Sequence, residues 1–393
     1  MKYCVLILSG LSDRSYGRIK NLTPLEIARV KAMSEISSKG RMGMVKTIPD
    51  DMPPESLVSI MSILGYDPVM YYTGPAAMEA RSLGIPIKDK DWCFCCDLVS
   101  TFDNAIVDPT AGQIRNNEAS LLIEELKSHL QKRNIQCYPI KNNHHLLVFS
   151  SHSFSGLKTH NPMHILGKSM QQFLPQGEGS GMLQEIMQEA HGILNDHEIN
   201  HIRRDLNENP ADSIWIWGGS TLSPMPAFQE LFSQKAAMIT ASLPIQGFAK
   251  EIGIDILPVP GITGGMDTNY SGKAYCAIEA TKNYDIVFLH LNALVEASYQ
   301  GDITQKTHTI EKVDESIVAP FLEKLKGDYR IMIVGGYFVS VGEKTALPKP
   351  VPFAVSGTNY PVGTGLPFTE RNAIKVDFRI KEGESLLSFL IKS

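Results

Sequence analysis

A chain of 393 residues with 43% hydrophobic and 20% charged content can bury a large core and exceeds the usual size of one domain, so two domains are expected. Its 37 basic and 42 acidic residues give a net charge of −5 with no run of like charges, which leaves no footprint for nucleic acid or for an anionic membrane.

The first apolar run, Tyr3 to Leu8, stops at Ser9-Gly10, too short for a signal segment, and no later stretch would span a bilayer. It reads as the buried first strand of a cytoplasmic protein. Thr23-Pro24-Leu25-Glu26 has the form of a helix start, with a capping hydroxyl, Pro at the first helical position and Glu in the first turn. A strand is expected over Met42 to Thr47, and Ser59 to Leu64 has the apolar spacing of a core helix. Cys93, Cys95 and Cys96 crowd into one strand whose alternating faces point them apart. With Cys4, Cys137 and Cys276 they form no spaced pairs, so reduced thiols are expected. Asn116 to Arg133 is an amphipathic helix, Leu146 to Phe149 a strand, and Pro175 to Gly181 a surface loop before a helix starting near Met182. Strands follow at Ile214 to Trp217, Ala237 to Thr240, Ile254 to Val259, Ile286 to His290 and Arg330 to Val334. Short strands alternating with helices imply α/β layers, and neither a repeat nor a clean linker is visible.

Several motifs then point the same way. Val45-Lys46-Thr47-Ile48-Pro49, Met52-Pro53-Pro54, Leu64-Gly65-Tyr66-Asp67-Pro68, Tyr71-Tyr72-Thr73-Gly74 and Ser82-Leu83-Gly84-Ile85 are followed by His164 to Lys168, Ile214 to Gly218, Asp267 to Ala274 and Pro350 to Phe353. In content and order they resemble the archaeal-type, cofactor-independent phosphoglycerate mutases of the alkaline phosphatase superfamily. The resemblance implies an alkaline-phosphatase-like α/β core sheet flanked by helices over residues 1–88 and 213–393, with a second α/β domain for substrate inserted at 89–212. It also implies that a serine, here Ser56, accepts a phosphoryl group and returns it to the other hydroxyl of glycerate. Two divalent cations, manganese, zinc or magnesium, assist by neutralising the attacking and leaving oxygens.

Carried over one by one, the family's seven first-shell positions fall on Ser56 and on Ser9, Val295, Tyr299, Gly336, Tyr337 and Ala346, and of these only Ser56 keeps the family's residue type. Valine, glycine and alanine offer no donor to a divalent ion. On the substrate side Pro75, Cys95, Gln113 and His144 stand where the family has Arg or His, and Glu55 replaces a glycine at the helix start that should meet phosphate. Lys273, His144 and His145 remain as candidate anion contacts, although a lone lysine after a turn is more often solvated. Candidate replacement ligands are His144-His145, His160 with His164, His197 with His201, His290, Asn292, Glu296 and Asp302. His197 and His201 read as surface histidines, His290 as a satisfied core imidazole, and Glu296 and Asp302 as helix-start carboxylates.

The resulting expectation is a pseudoenzyme with a degenerate metal site and no cofactor, binding a partner protein or a small anionic molecule, alone or as a homo- or hetero-oligomer. Ser56 is then an ordinary serine capping its helix. The alternative is a divergent phosphoglycerate mutase or phosphotransferase, or a metal-independent enzyme, using the same cleft with Ser56. A Cys95–His couple is a further nucleophile candidate under that alternative.

Overall fold

The computed structural model describes residues 1–360 and 363–392. Its strands, in chain order, are β1 (Lys2–Leu8), β2 (Arg41–Val45), β3 (Trp92–Phe102), β4 (Ala105–Asp108), β5 (Ile135–Lys141), β6 (His144–Phe149), β7 (Ser213–Ser220), β8 (Ala236–Ile239), β9 (Asp255–Ile256), β10 (Ile286–Leu291), β11 (Tyr329–Val334), β12 (Phe338–Ser340), β13 (Thr345–Leu347), β14 (Val351–Gly357) and β15 (Arg379–Ile380). They fall into two compact units, Met1–Tyr72 with Pro224–Ser393, and Thr73–Ser223. The motifs place the divisions at 88/89 and 212/213, whereas the compact units divide at 72/73 and 223/224. The reason is local: the Ala76–Ser82 helix packs on β3 and β7, and β7 pairs with β3 along most of its length.

The first unit holds an eight-stranded sheet in the order β15-β2-β14-β11-β1-β10-β8-β9. β1 runs parallel to β10 on one side and to β11 on the other, with Ile7 level with both His290 and Val334. These central strands are continuous apolar runs because helices cover both faces of a parallel sheet, leaving no solvated face to demand alternation. Cys4, Leu6 and Leu8 pack with Val287, Leu289, Leu291, Ile331 and Ile333 against helices that include Tyr270–Ala280 and Ile303–Val313. The capping box at Thr23 forms as its sequence requires: Thr23 accepts from the Glu26 backbone and Glu26 accepts from the Thr23 backbone. Behind the end of β1, Lys306 and Asp13 make a fully buried ion pair at 2.8 Å, and the same ammonium donates to the Val339 carbonyl at 2.9 Å.

The second unit is a five-stranded antiparallel sheet, β4-β3-β6-β5 with β7 on the other side of β3. Alternation along β3 sends Phe94, Cys96 and Leu98 toward the Asn116–Gln131 and Ser180–Asn195 helices, and Cys93 and Cys95 toward the Ala76–Ser82 helix. Of the three crowded cysteines Cys93 and Cys95 share a face and Cys96 points away from both, and among the described residues no disulfide forms.

Candidate functional site

Open α/β sheets bind ligands at the carboxyl ends of their parallel strands, and in the first unit the loops after β1, β10 and β11 meet there. The Ser9 amide donates to the Leu291 carbonyl and the Gly10 amide to the Tyr337 carbonyl, both at 3.0 Å. Gly336 takes a left-handed φ of 58° and lies so close to Ser9 that a Cβ would come within 2.6 Å of its hydroxyl. Val295, Tyr337 and Ala346 pack together with Ile48, Val58 and Val339, with Tyr72 and Tyr299 at the margin. The positions carried over from the family thus converge in space, and the side chains now filling them make a largely apolar cluster.

Ser56 opens the Ser56–Ile63 helix, whose following seven residues are all buried. It is not the cap expected of it. Glu55 holds the capping position, and the Ser56 hydroxyl turns away to donate to Asn292 Oδ1 at 3.1 Å and to Tyr337 OH at 3.4 Å. Burial pushes the Glu55 carboxyl above its usual range, a shift opposed by the hydroxyl of Tyr72, which donates to Glu55 Oε1. Burial likewise lifts the Tyr337 phenol well above its ordinary value.

Lys273 corrects its sequence reading more sharply. Rather than a solvated residue it is 1% exposed, its ammonium donates to the His290 carbonyl at 3.4 Å, and burial pulls its pKa down to about 8. His290 is the satisfied core imidazole expected of it, with Nε2 at 3.1 Å from Ser9 Oγ and Nδ1 at 2.9 Å from Thr240 Oγ1. Burial first, then Lys273, hold its pKa near 3. Asp302 caps the Ile303–Val313 helix through the amides of Thr304 and Gln305, and Glu296 accepts from the Met266 amide.

The other two anion candidates lie in the second unit and do not act together. His144 and His145 are successive residues of β6, so they face opposite sides of the sheet. His145 is 2% exposed with neither ring nitrogen hydrogen-bonded, and burial lowers its pKa to about 3. It is an apolar-core imidazole, not an anion contact. His144 lies between two carboxylates, with Nδ1 at 2.5 Å from Asp97 Oδ1 and Nε2 at 3.1 Å from Glu79 Oε1. Burial opposes its charge, but these two hydrogen bonds win and raise its pKa to about 10. Cys95 joins the same group: one ligand atom each from Glu79, Cys95 and His144 lie within 4.8 Å of one another. His197 is spent on capping the Glu198–Asp205 helix, where Nδ1 accepts from the Ile199 amide at 3.1 Å.

The sequence of a Methanosarcina mazei protein described as a 2,3-bisphosphoglycerate-independent phosphoglycerate mutase is 36% identical over all of both chains. This chain belongs to that family. Residues 37–200 also match the family model for 2,3-bisphosphoglycerate-independent phosphoglycerate mutase, and a Geobacter sulfurreducens relative described as a probable mutase of this kind is 32% identical over the whole of both chains. Among solved structures, a Pyrococcus horikoshii protein superposes with a TM-score of 0.81 at 24% identity, covering 100% of this chain and 96% of its own. A Thermoplasma acidophilum cofactor-independent phosphoglycerate mutase gives 0.62 at 23% identity, covering 100% and 99%. The α/β fold is the one these structures share.

At the carried-over positions Val295, Gly336 and Ala346 bring no side-chain donor, and burial keeps the Tyr337 phenol protonated. The further step to an inactive chain is corrected by the comparisons. Relatives bearing the mutase name match this phosphoglycerate mutase family member from end to end, which overturns the reading as a pseudoenzyme with a degenerate metal site; the alternative reading accords with them. The expectation of no cofactor is overturned as well. Glu79, Cys95 and His144 present a donor set able to hold an ion. Sequence reasoning missed that set because Glu79 comes from a helix and the other two from neighbouring strands, at spacings no linear motif encodes. Among the described residues no helix is long and apolar enough to cross a membrane.

Proposed function

We propose that this phosphoglycerate mutase family member is a divergent mutase or phosphotransferase whose nucleophile is Ser56. The supporting observation is the placement of that hydroxyl at the first position of a buried helix, aimed by Asn292 and Tyr337 into the convergence of the loops after β1, β10 and β11. A helix N-terminus offers unpaired amides and a positive dipole end to a phosphate. Attack forms the Ser56 Oγ–P bond as the bond from phosphorus to the substrate oxygen breaks, and return of the phosphoryl group to the other glycerate hydroxyl reverses the exchange. Asn292 orients the serine but its amide cannot take the proton. Lys273, its pKa lowered by burial to about 8, is a candidate of this unit for taking that proton, and burial also raises the carboxyl of Glu55, the residue preceding Ser56. A small phosphorylated carboxylate is the anionic ligand this reading requires, and we infer a cytoplasmic location from thiols kept out of disulfides.

The test is to mix the protein with 3-phosphoglycerate, quench in acid and search the Ser56 peptide by mass spectrometry. A phosphate on Ser56, absent from Ser56→Ala, is expected; turnover with no modified Ser56 would remove Ser56 from the reaction.

A further inference from the structure

The group around His144 belongs to the second unit, whereas the residues assigned above to the nucleophile belong to the first, and it has a chemistry of its own. Cys95 and Asp97 are two apart on β3 and share one face; the register sets His144 directly opposite Asp97 on β6, and Trp217 opposite Cys95 on β7. The Ala76–Ser82 helix lies over this face and lowers Glu79 onto it, while its Ala76, Ala77 and Ala80 leave room that larger side chains would fill. Gly218 packs beside the thiol with a left-handed φ of 65°, and a Cβ on it would meet Pro75 at 2.9 Å.

We propose that Glu79, Cys95 and His144 form a binding site for a single divalent cation of the zinc class, with Asp97 as the residue that orients the imidazole. A thiolate, an imidazole and a carboxylate are the ligand types that zinc takes, and three protein ligands leave a fourth position open to water or an anion. Zinc bonds of about 2.0–2.3 Å put neighbouring tetrahedral ligands roughly 3.3–3.7 Å apart. The 3.1 Å from His144 Nε2 to Glu79 Oε1 is close to that separation, and all three ligand atoms lie within 4.8 Å of one another, so that closing on an ion takes only a small inward shift. The outer contacts match as well. Metal-bound imidazoles pass their second N–H to a carboxylate that is itself held, and here Nδ1 meets Asp97 Oδ1 while Asp97 Oδ2 accepts from Trp217 Nε1 at 2.7 Å. The side chains of Glu79 and Asp97 are 6% and 8% exposed but that of His144 is 27% exposed, which gives the ion a way in.

The alternative occupant is a proton, which would make the group an imidazolium bridging two carboxylates. Titrating the full chain with cobalt(II) separates the two. The site predicts a thiolate-to-cobalt charge-transfer band and intense four-coordinate visible bands that saturate at one equivalent and are displaced by zinc. Cys95→Ser should abolish the charge-transfer band, Cys276→Ser should leave it intact, and Asp97→Asn should weaken cobalt affinity about 10- to 100-fold. Circular dichroism establishes that each variant is folded. Absence of the band in the unmodified protein, which needs no variant at all, or its persistence in Cys95→Ser, overturns the proposal.

Discussion

Glu370 is a fully buried carboxyl in the first unit, and replacing it by glutamine should stabilise the protein in a pH-dependent way. Its Oε2 accepts from Thr23 Oγ1 at 2.7 Å and its Oε1 from the Asp13 amide at 3.3 Å, beside the Asp13–Lys306 pair. Burial outweighs these contacts and pushes its pKa up from 4.5 to about 7. A carboxyl whose folded pKa is raised binds its proton more tightly in the native than in the unfolded chain. Its contribution to stability is full below pH 4.5 and is lost as pH rises through 7. At about 1.36 kcal/mol per tenfold change in proton affinity, the loss amounts to about 3 kcal/mol by pH 8. Glutamine keeps the shape, can accept from the Asp13 amide and donate to the Thr23 hydroxyl, and has no charge to desolvate. Other groups titrate in the same window, so the quantity to follow is the difference between Glu370→Gln and the unmodified chain at each pH. Tryptophan fluorescence would miss it, because Trp92, Trp215 and Trp217 all belong to the other unit. Hydrogen exchange of the β1 and β10 amides reports the right unit. Glu370→Gln should match the unmodified chain near pH 4.5 and exchange about a hundredfold more slowly at pH 8. Equal protection at both pH values, or weaker protection of the variant at pH 8, would refute a buried carboxyl with a raised pKa.

Lys306→Met should cost about 3–5 kcal/mol in the first unit, since it strands the Asp13 carboxylate without its cation, and urea unfolding followed by far-ultraviolet circular dichroism measures it. His145 has a pKa near 3 against an ordinary 6.5, so it binds a proton more readily when unfolded and withdraws stability as pH falls from 6.5 toward 3; His145→Leu should flatten that acid loss in the second unit, read by tryptophan fluorescence. Ser56→Ala gives up only hydrogen bonds to Asn292 and Tyr337, and melting should show a change within about 1.5 kcal/mol. Lys273→Met should remove a limb near pH 8 from the pH–rate profile of phosphoglycerate interconversion, a limb that should remain in Ser59→Ala.

The strands of the parallel sheet were legible because burial on both faces leaves uninterrupted runs such as Val5 to Leu8 and Ile286 to Leu291, and the Thr23 capping box carries its partners within one turn. The convergence of Ser9, Val295, Gly336 and Tyr337 followed from family order, since each sits just past a strand end. What the residues alone left hidden was environment. Nothing next to Lys273 in the chain announces its burial, because the cover comes from packing against β10 and the helix face. Ser56 lies one position inside its helix, after the cap at Glu55, and its hydroxyl meets Asn292, a partner 236 residues away that the local sequence does not announce. The Glu79, Cys95 and His144 group needs a helix and two strands to assemble, so the sequence offered Cys95 and His144 only as scattered substitutions and gave no signal for Glu79. The pseudoenzyme expectation, which full-length relatives correct, came from the changes at Ser9, Val295, Tyr299, Gly336, Tyr337 and Ala346.

The most direct test of Ser56 as the nucleophile of a working mutase is the rate at which the purified full chain interconverts 3- and 2-phosphoglycerate, compared with Ser56→Ala at equal fold and concentration. Turnover in the unmodified protein that falls to background in Ser56→Ala is the predicted result. No turnover in the unmodified protein with zinc, manganese and magnesium each supplied, or turnover that survives Ser56→Ala, would contradict it.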